Sequence, residues 1–106
     1  MDRNGYNEQI VPSDGRCQYC GKTNLPLQRH EVFHGPNRAK SKEFGCWVLL
    51  CFKCHMKLHH EEASIDRELK VWMQQNAMAH YGWTIEQFRE VFGKNYLEEF
   101  NVRIET

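Results

Sequence analysis

The sequence lacks an excess of either charge, and it lacks any long apolar run. Lysine plus arginine number 14, as do aspartate plus glutamate, so the formal net charge is zero. A protein that binds nucleic acid strongly through charge alone is usually basic overall, so the composition argues against that class. The N-terminal residues 1–11 are too polar to form a secretory leader or a membrane span. We therefore expect a cytoplasmic protein with no membrane partner.

The chain is also short, which limits the core that it can build. Its 106 residues predict a single domain. A domain of this size buries only about two thirds of its unfolded surface. Because the first half has few long apolar runs, a bound metal would add to the stability of that half.

Cysteine, by contrast, is present in a specific pattern of two Cys-x2-Cys knuckles separated by thirty residues. In an intracellular chain, two such knuckles predict one tetrahedral structural zinc rather than disulfides. The predicted ligands are Cys17, Cys20, Cys51 and Cys54. A site with four thiolates is coordinatively closed, so we expect it to hold structure and to do no chemistry. The alternative is four free core thiols, and the fifth cysteine, Cys46, is expected to be a small buried residue.

Histidine is concentrated in the same region, since five of the six histidines lie between residues 30 and 60. His55 and His59 are four apart, so on a helix they would lie one turn apart on the same face. With His30 they predict a second site for a catalytic divalent ion such as Mg²⁺, Mn²⁺, Ni²⁺ or Zn²⁺. Glu31 follows His30, and its carboxylate can take a proton from water at neutral pH. The alternative is that His55 packs against the knuckle while His59 and His60 face solvent.

The order of sequence patterns predicts an α+β domain. Residues 27–33 and 47–50 are typical of strands that pair with each other, and residues 52–60 favour a helix. Residues 15–60 therefore predict a zinc-stapled core of two strands and a helix, preceded by a loose N-terminal arm, residues 1–14. The rest of the single domain 15–106 is a helical extension and tail.

The extension, residues 61–106, is predicted to contain two packing helices. Apolar residues recur at helical spacing from Ile65 until Gly82, which ends the first helix. Thr84-x-x-Gln87 is a capping box that begins the second helix. Beyond it, alternating apolar residues from position 100 to position 104 predict a short strand.

Basic residues gather between the two knuckles, where Glu31 and Glu43 are the only acids. Four of them cluster at residues 29–42, namely Arg29, Arg38, Lys40 and Lys42. If DNA is the substrate, we expect it to be bound at this face through its phosphates. The alternative interpretation is a solvated loop.

These motifs together resemble the zinc-bearing HNH endonucleases of the ββα-metal fold. The similarity lies in the first knuckle, the His30-Glu31 pair on a strand, and the run Leu-Cys-x2-Cys-His-x3-His at residues 50–59. Residues 30–38 and the later run Phe-Gly-Lys-Asn-Tyr-Leu at 92–97 are similar to the phage recombination-enhancement (Ref)-like, RecA-dependent nucleases.

The resemblance implies a phage-type, metal-dependent DNA endonuclease of recombination or repair, with a RecA filament or another host protein as partner. His30, His55 and His59 match the metal ligands of that family. Glu31 stands where the family places the histidine that activates water, and Cys46 stands where many members place an orienting asparagine. The alternative is a catalytically impaired zinc adaptor of the same fold that binds DNA or a host protein.

Overall fold

A computed structural model describes residues 1–60 and 63–100. In chain order its elements are β1 (Leu27–Glu31), a 3₁₀ turn (Gly35–Asn37), α1 (Arg38–Glu43), β2 (Trp47–Cys51), α2 (Phe52–His60), α3 (Ala63–Tyr81), α4 (Ile85–Phe92) and α5 (Tyr96–Glu99). This is a small α+β domain, which confirms the predicted class. No helix in these two ranges is long and apolar enough to cross a membrane.

The two strands form one antiparallel pair, as predicted. Leu27 lies opposite Cys51, and Glu31 lies opposite Trp47. The first strand ends two residues earlier than expected. At Phe33 the backbone N–H donates to the Ser41 hydroxyl, 3.0 Å away, instead of extending the ladder.

The core lies between this sheet and the helical extension, and aromatic rings dominate it. Phe33 enters from the end of β1, and its ring centre lies 4.5 Å from that of Phe92 and 5.3 Å from that of Phe88. Each such buried side chain contributes about 1.5–3 kcal/mol through removal of apolar surface from water. Met73 and Ala77 of α3 complete the same cluster.

The helix boundaries at 81–93 follow the predicted local signals. The Thr84 hydroxyl accepts the N–H of Gln87, and the Gln87 side chain accepts the N–H of Thr84, so the capping box is confirmed. Gly93 ends α4 with a φ of 80°, a left-handed conformation that suits glycine. The first predicted helix ends at Tyr81, before Gly82.

The extension contains a third helix that the sequence analysis missed. The Asn95 side chain caps it by accepting the N–H of Leu97, and the buried Gln74 both donates to Asn95 and accepts the N–H of Tyr96. A helix of four residues is too short to show a periodic pattern, so two helices were predicted where the described residues form three. The predicted tail strand falls mostly on residues 101–106, which lie outside the described residues.

The N-terminal arm runs along the loop before β2. The N–H of Ile10 donates to the carbonyl of Gly45, and the Trp47 indole donates to the carbonyl of Asn7, 2.8 Å away. Gly45 has a φ of +69°, and a Cβ there would collide with the carbonyl oxygen of Glu8. These contacts attach the arm to the sheet.

Candidate metal centres

The four knuckle cysteines come together at the junction of β2 and α2. Their Sγ atoms all lie within 4.8 Å of one another, and the Sγ atoms of Cys20 and Cys51 are 3.9 Å apart. A tetrahedral zinc with Zn–S bonds of about 2.3 Å requires S···S separations of about 3.8 Å, whereas a disulfide requires about 2.05 Å. The predicted cluster is therefore confirmed, and its spacing suits a structural metal such as zinc.

The sheet holds the first knuckle against the second through Gln18. The backbone N–H of Gln18 donates to the carbonyl of Leu49, and its side-chain oxygen accepts the N–H of Leu49. Burial opposes ionisation of Cys17, but the backbone N–H groups of Cys20, Cys51 and Tyr19 outweigh it and lower the pKa of that thiol to about 6. Such donors favour the thiolate form that binds metal.

The fifth cysteine is separate from this cluster. Cys46 is fully buried, as predicted, and burial raises the pKa of its thiol to about 12. A buried thiol with a raised pKa is unreactive.

Three histidines from two elements also converge. His30 comes from β1, His55 and His59 come from α2, and their ligand nitrogens lie within 4.8 Å of one another. The Nε2 atoms of His55 and His59 are 3.2 Å apart. Nitrogen ligands at about 2.0–2.1 Å from a tetrahedral ion would be separated by about 3.3 Å, so the two rings already have the spacing of a ligand pair.

Gln28 orients one of these rings from the neighbouring strand. Its side-chain oxygen lies 2.6 Å from Nδ1 of His55. A histidine that donates from one ring nitrogen presents the lone pair of the other, which is how outer hydrogen bonds prepare metal ligands. Nε2 of His55 is thus directed towards His59.

His30 supplies the observation that most favours a bound ion. Its Nε2 atom is the one buried side-chain nitrogen or oxygen without a hydrogen-bond partner among the described residues. Burying such a group unpaired costs about 1–3 kcal/mol. Burial, followed by the charges of His55, His34 and His59, lowers the pKa of His30 to about 3, so its ring is neutral at pH 7. Neutral imidazole is the form that binds metals, and these residues therefore fit a metal ion.

Glu31 borders the three histidines without belonging to their group. Its carboxylate lies 3.9 Å from Nε of Arg38, and its charge helps to raise the pKa of Tyr6, after burial of that ring. Burial and His59 lower the pKa of His55, and the Glu31 charge opposes them. The carboxylate is thus within electrostatic reach of the site, and its role as base or ligand stays a prediction.

Each of the four basic residues predicted to bind DNA has a partner inside the chain. The Arg29 guanidinium lies 4.3 Å from the ring centre of Tyr6 and forms an ion pair with Asp2 at 3.0 Å. The Lys42 ammonium lies 4.8 Å from the same ring centre. Of the remaining two, Arg38 is near Glu31, and Lys40 donates to a backbone carbonyl of α4. Their DNA-binding role stays a prediction.

A polar network that no sequence pattern indicated lies beside the histidines. Nε2 of His34 lies 3.0 Å from Oδ1 of Asp66, and the other Asp66 oxygen accepts from Lys70 at 2.8 Å. Burial opposes ionisation of Asp66, but its bonds to Lys70 and His34 lower the pKa of that carboxyl. The density of histidines between residues 30 and 60 marked His34, whereas no local pattern marked Asp66, which is 32 residues away.

Comparison with protein-family models, with curated proteins and with solved structures finds no match for this chain.

Proposed function

We propose that this chain is a metal-dependent phosphodiester hydrolase that cleaves DNA, an HNH-type endonuclease of phage or prophage character. One observation carries the proposal, namely the convergence of His30, His55 and His59, in which the buried Nε2 of His30 has no hydrogen-bond partner among the described residues. Three protein ligands leave an open position, as catalytic metal sites do, whereas the four cysteines leave none. A divalent ion at the open site would stabilise the negative charge that develops on the phosphate during hydrolysis.

The two sites are mechanically connected through α2. This helix carries Cys54 for the closed site and His55 and His59 for the open one. Zinc bound by the cysteines would therefore fix the start of the helix and, with it, the direction of both imidazoles. This arrangement supports a division into a structural and a catalytic centre.

The charge distribution supports the need for a partner that delivers DNA. The net charge is zero, and the basic residues at 29–42 are engaged within the chain. Affinity for DNA that depends on released counterions should therefore be low for the isolated chain. A RecA filament or another host protein is the partner that the resemblance suggests.

The test is cleavage of plasmid and single-stranded DNA with Mg²⁺, Mn²⁺ or Ni²⁺, with and without a RecA filament. We expect the parent chain to cut and His59→Ala to abolish cutting while the protein stays folded. His60→Ala is the matched control, because it removes the next imidazole on the same helix, which is exposed and outside the cluster. Full activity of His59→Ala would remove the second metal site from the proposal.

A zinc-stabilised adaptor is the second candidate, and one surface favours it. A cavity of about 550 Å³ beside the cysteine cluster is lined by the exposed apolar side chains of Leu25 and Phe52, with Phe52 63 % exposed. Three lysines also line it, namely Lys22, Lys53 and Lys57, and among the described residues its lining contains no carboxylate. An exposed apolar patch with a basic rim suits an acidic protein partner.

Metal content separates the two candidates. One zinc per chain, with no second ion bound and no cleavage under any condition, would favour the adaptor. A second, exchangeable divalent ion that is lost in His59→Ala would favour the nuclease. The measurement is elemental analysis after dialysis against each divalent ion, followed by equilibrium titration of that ion.

A further inference from the structure

The paired side chains of His34 and Asp66 lie at the edge of the histidine cluster and are not among its three ligand residues. His34 follows β1, and Asp66 lies in the first turns of α3, so the pair joins the two halves of the chain. The distance of 3.0 Å between Nε2 and Oδ1 is that of a hydrogen bond between an imidazole and a carboxylate.

This bond determines which ring nitrogen of His34 remains free. An ionised carboxylate only accepts hydrogen bonds, so Nε2 of a neutral His34 must carry the proton that it donates to Asp66. The lone pair then resides on Nδ1. Lys70 holds the other carboxylate oxygen at 2.8 Å, which fixes Asp66 and therefore the ring. In other hydrolases, a carboxylate orients the base histidine through the same kind of hydrogen bond.

The position of His34 suits a proton acceptor better than a ligand. Its ring centre is 6.1 Å from that of His30, close to the 5.3 Å and 5.7 Å that separate His30 from His55 and His59. Its side chain is 38 % exposed, so water can reach it, whereas His30 is buried. His34 is nevertheless outside the set of nitrogens that lie within 4.8 Å of one another.

Glu31 is less suited than His34 to act as the proton acceptor. Its side chain is only 15 % exposed, its carboxylate is near Arg38, and Tyr6 of the N-terminal arm also hydrogen-bonds to it. Successive residues of a strand point to opposite faces, so Glu31 and His30 are directed apart by the backbone.

We propose that His34, oriented by Asp66, accepts the proton of the attacking water in place of Glu31. The inference rests on the proposed hydrolase function. In this step the water oxygen forms a bond to phosphorus, its proton passes to Nδ1 of His34, and the bond from phosphorus to the 3′ oxygen breaks. The departing oxygen takes a proton from solvent, and His34 returns its proton to solvent before the next turnover. His34 is thus a catalytic residue and Asp66 a positioning residue.

The experiment compares single-turnover cleavage of plasmid DNA, with Mn²⁺ and a RecA filament present, by the parent and by the variants His34→Ala, Asp66→Asn and Glu31→Gln. We expect His34→Ala to lower the rate by about 10²–10⁴-fold, the range that general-base catalysis supplies. Added imidazole should restore part of that rate, which it would not do if His34 only supported the fold. Glu31→Gln should keep most of the parental rate, and Asp66→Asn should lose less than His34→Ala.

Binding of Mn²⁺ and the zinc content are measured on the same samples. Both quantities should match the parent in His34→Ala and in the exposed control His80→Ala. The variant His34→Gln keeps a donor towards Asp66, so it should stay folded and cleave as slowly as His34→Ala. Loss of Mn²⁺ binding in His34→Ala would make it a ligand and overturn the proposal. Parental cleavage by His34→Ala, with none by His59→Ala, would overturn this inference alone, whereas no cleavage by the parent would overturn both.

Discussion

His30 has only 4 % of its surface exposed, and its ring neighbours are His34, His55 and His59. A proton on Nε2 of this ring would be buried and would have no bonded acceptor among the described residues. The protein therefore keeps the ring neutral, as a metal ligand must be. Burial thus leaves Nε2 of His30 out of reach of solvent but available to a bound ion.

The lowered pKa of His30 predicts a loss of stability in acid. The unfolded chain binds the proton at a pKa near 6.5, whereas the folded protein binds it only near 3. Between these values the unfolded state holds more protons, so the free energy of unfolding falls as the pH falls, by at most about 1.4 kcal/mol per pH unit. Urea unfolding of the zinc-loaded protein from pH 7 downwards measures this dependence.

The variant His30→Gln isolates this residue, since loss of zinc in acid affects both proteins alike. We expect a shallower dependence on pH in His30→Gln than in the parent. The exposed His80→Gln should follow the parent. If the curves of the parent and His30→Gln run parallel, His30 does not titrate with the lowered pKa.

At the scale of elements, α2 and α4 show two ways in which a short helix is placed. The nine residues of α2 follow β2 directly, and Cys54 and Leu58 are its buried residues. The eight residues of α4 instead depend on a local cap and on the burial of Phe88 and Phe92. Helices this short are marginally stable alone. A metal bound by the cysteine cluster would stabilise α2, whereas the cap and aromatic packing stabilise α4.

Removal of the cap of α4 should therefore weaken the aromatic core. We expect Thr84→Ala to lower the free energy of unfolding by about 1 kcal/mol, because it leaves the N–H of Gln87 without its acceptor. Thr84→Ser keeps the hydroxyl and should stay close to the parent. Urea unfolding followed by tryptophan fluorescence measures both, and an unchanged midpoint for Thr84→Ala would show that the cap contributes nothing.

At the scale of the whole molecule, the cysteine cluster and the aromatic core stabilise different parts of the chain. The cluster joins residues 17–20 to residues 51–54 and so closes a long loop that contains β1 and α1. The aromatic core joins the end of β1 to α4 and α5. We therefore expect the first half to depend on metal bound by the cysteines, whereas α3 to α5 depend mainly on apolar burial.

Removal of zinc should consequently open the two halves to different extents. With a chelator, we expect backbone amides of β1, β2 and α2 to lose protection from hydrogen exchange before those of α3 and α4. Structural zinc contributes about 10–16 kcal/mol in small zinc domains, more than a domain of this size can replace. The same chelator saturated with zinc is the control. Equal protection of the amides with the zinc-free and the zinc-saturated chelator would contradict the prediction.

Much of this organisation could be predicted from local patterns. Thr84 and Gln87 predicted the cap of α4 because both partners lie within one helical turn. The spacing of the knuckles predicted the cluster at Cys17, because Cys-x2-Cys leaves each pair only a small range of geometries. By contrast, α5 has no periodicity to detect, and its cap depends on Gln74, which is 21 residues from Asn95.

The sequence by itself therefore determined the α+β class, the closed cysteine cluster and the capped helix α4, since these follow from residue types at short spacing. Only the tertiary structure decided which groups surround His30, that Arg29 is engaged by Asp2, and that His34 meets Asp66. The physical reason is that side-chain direction and the partners of distant residues depend on how strands and helices pack. The spacing of residues along the chain does not specify that packing.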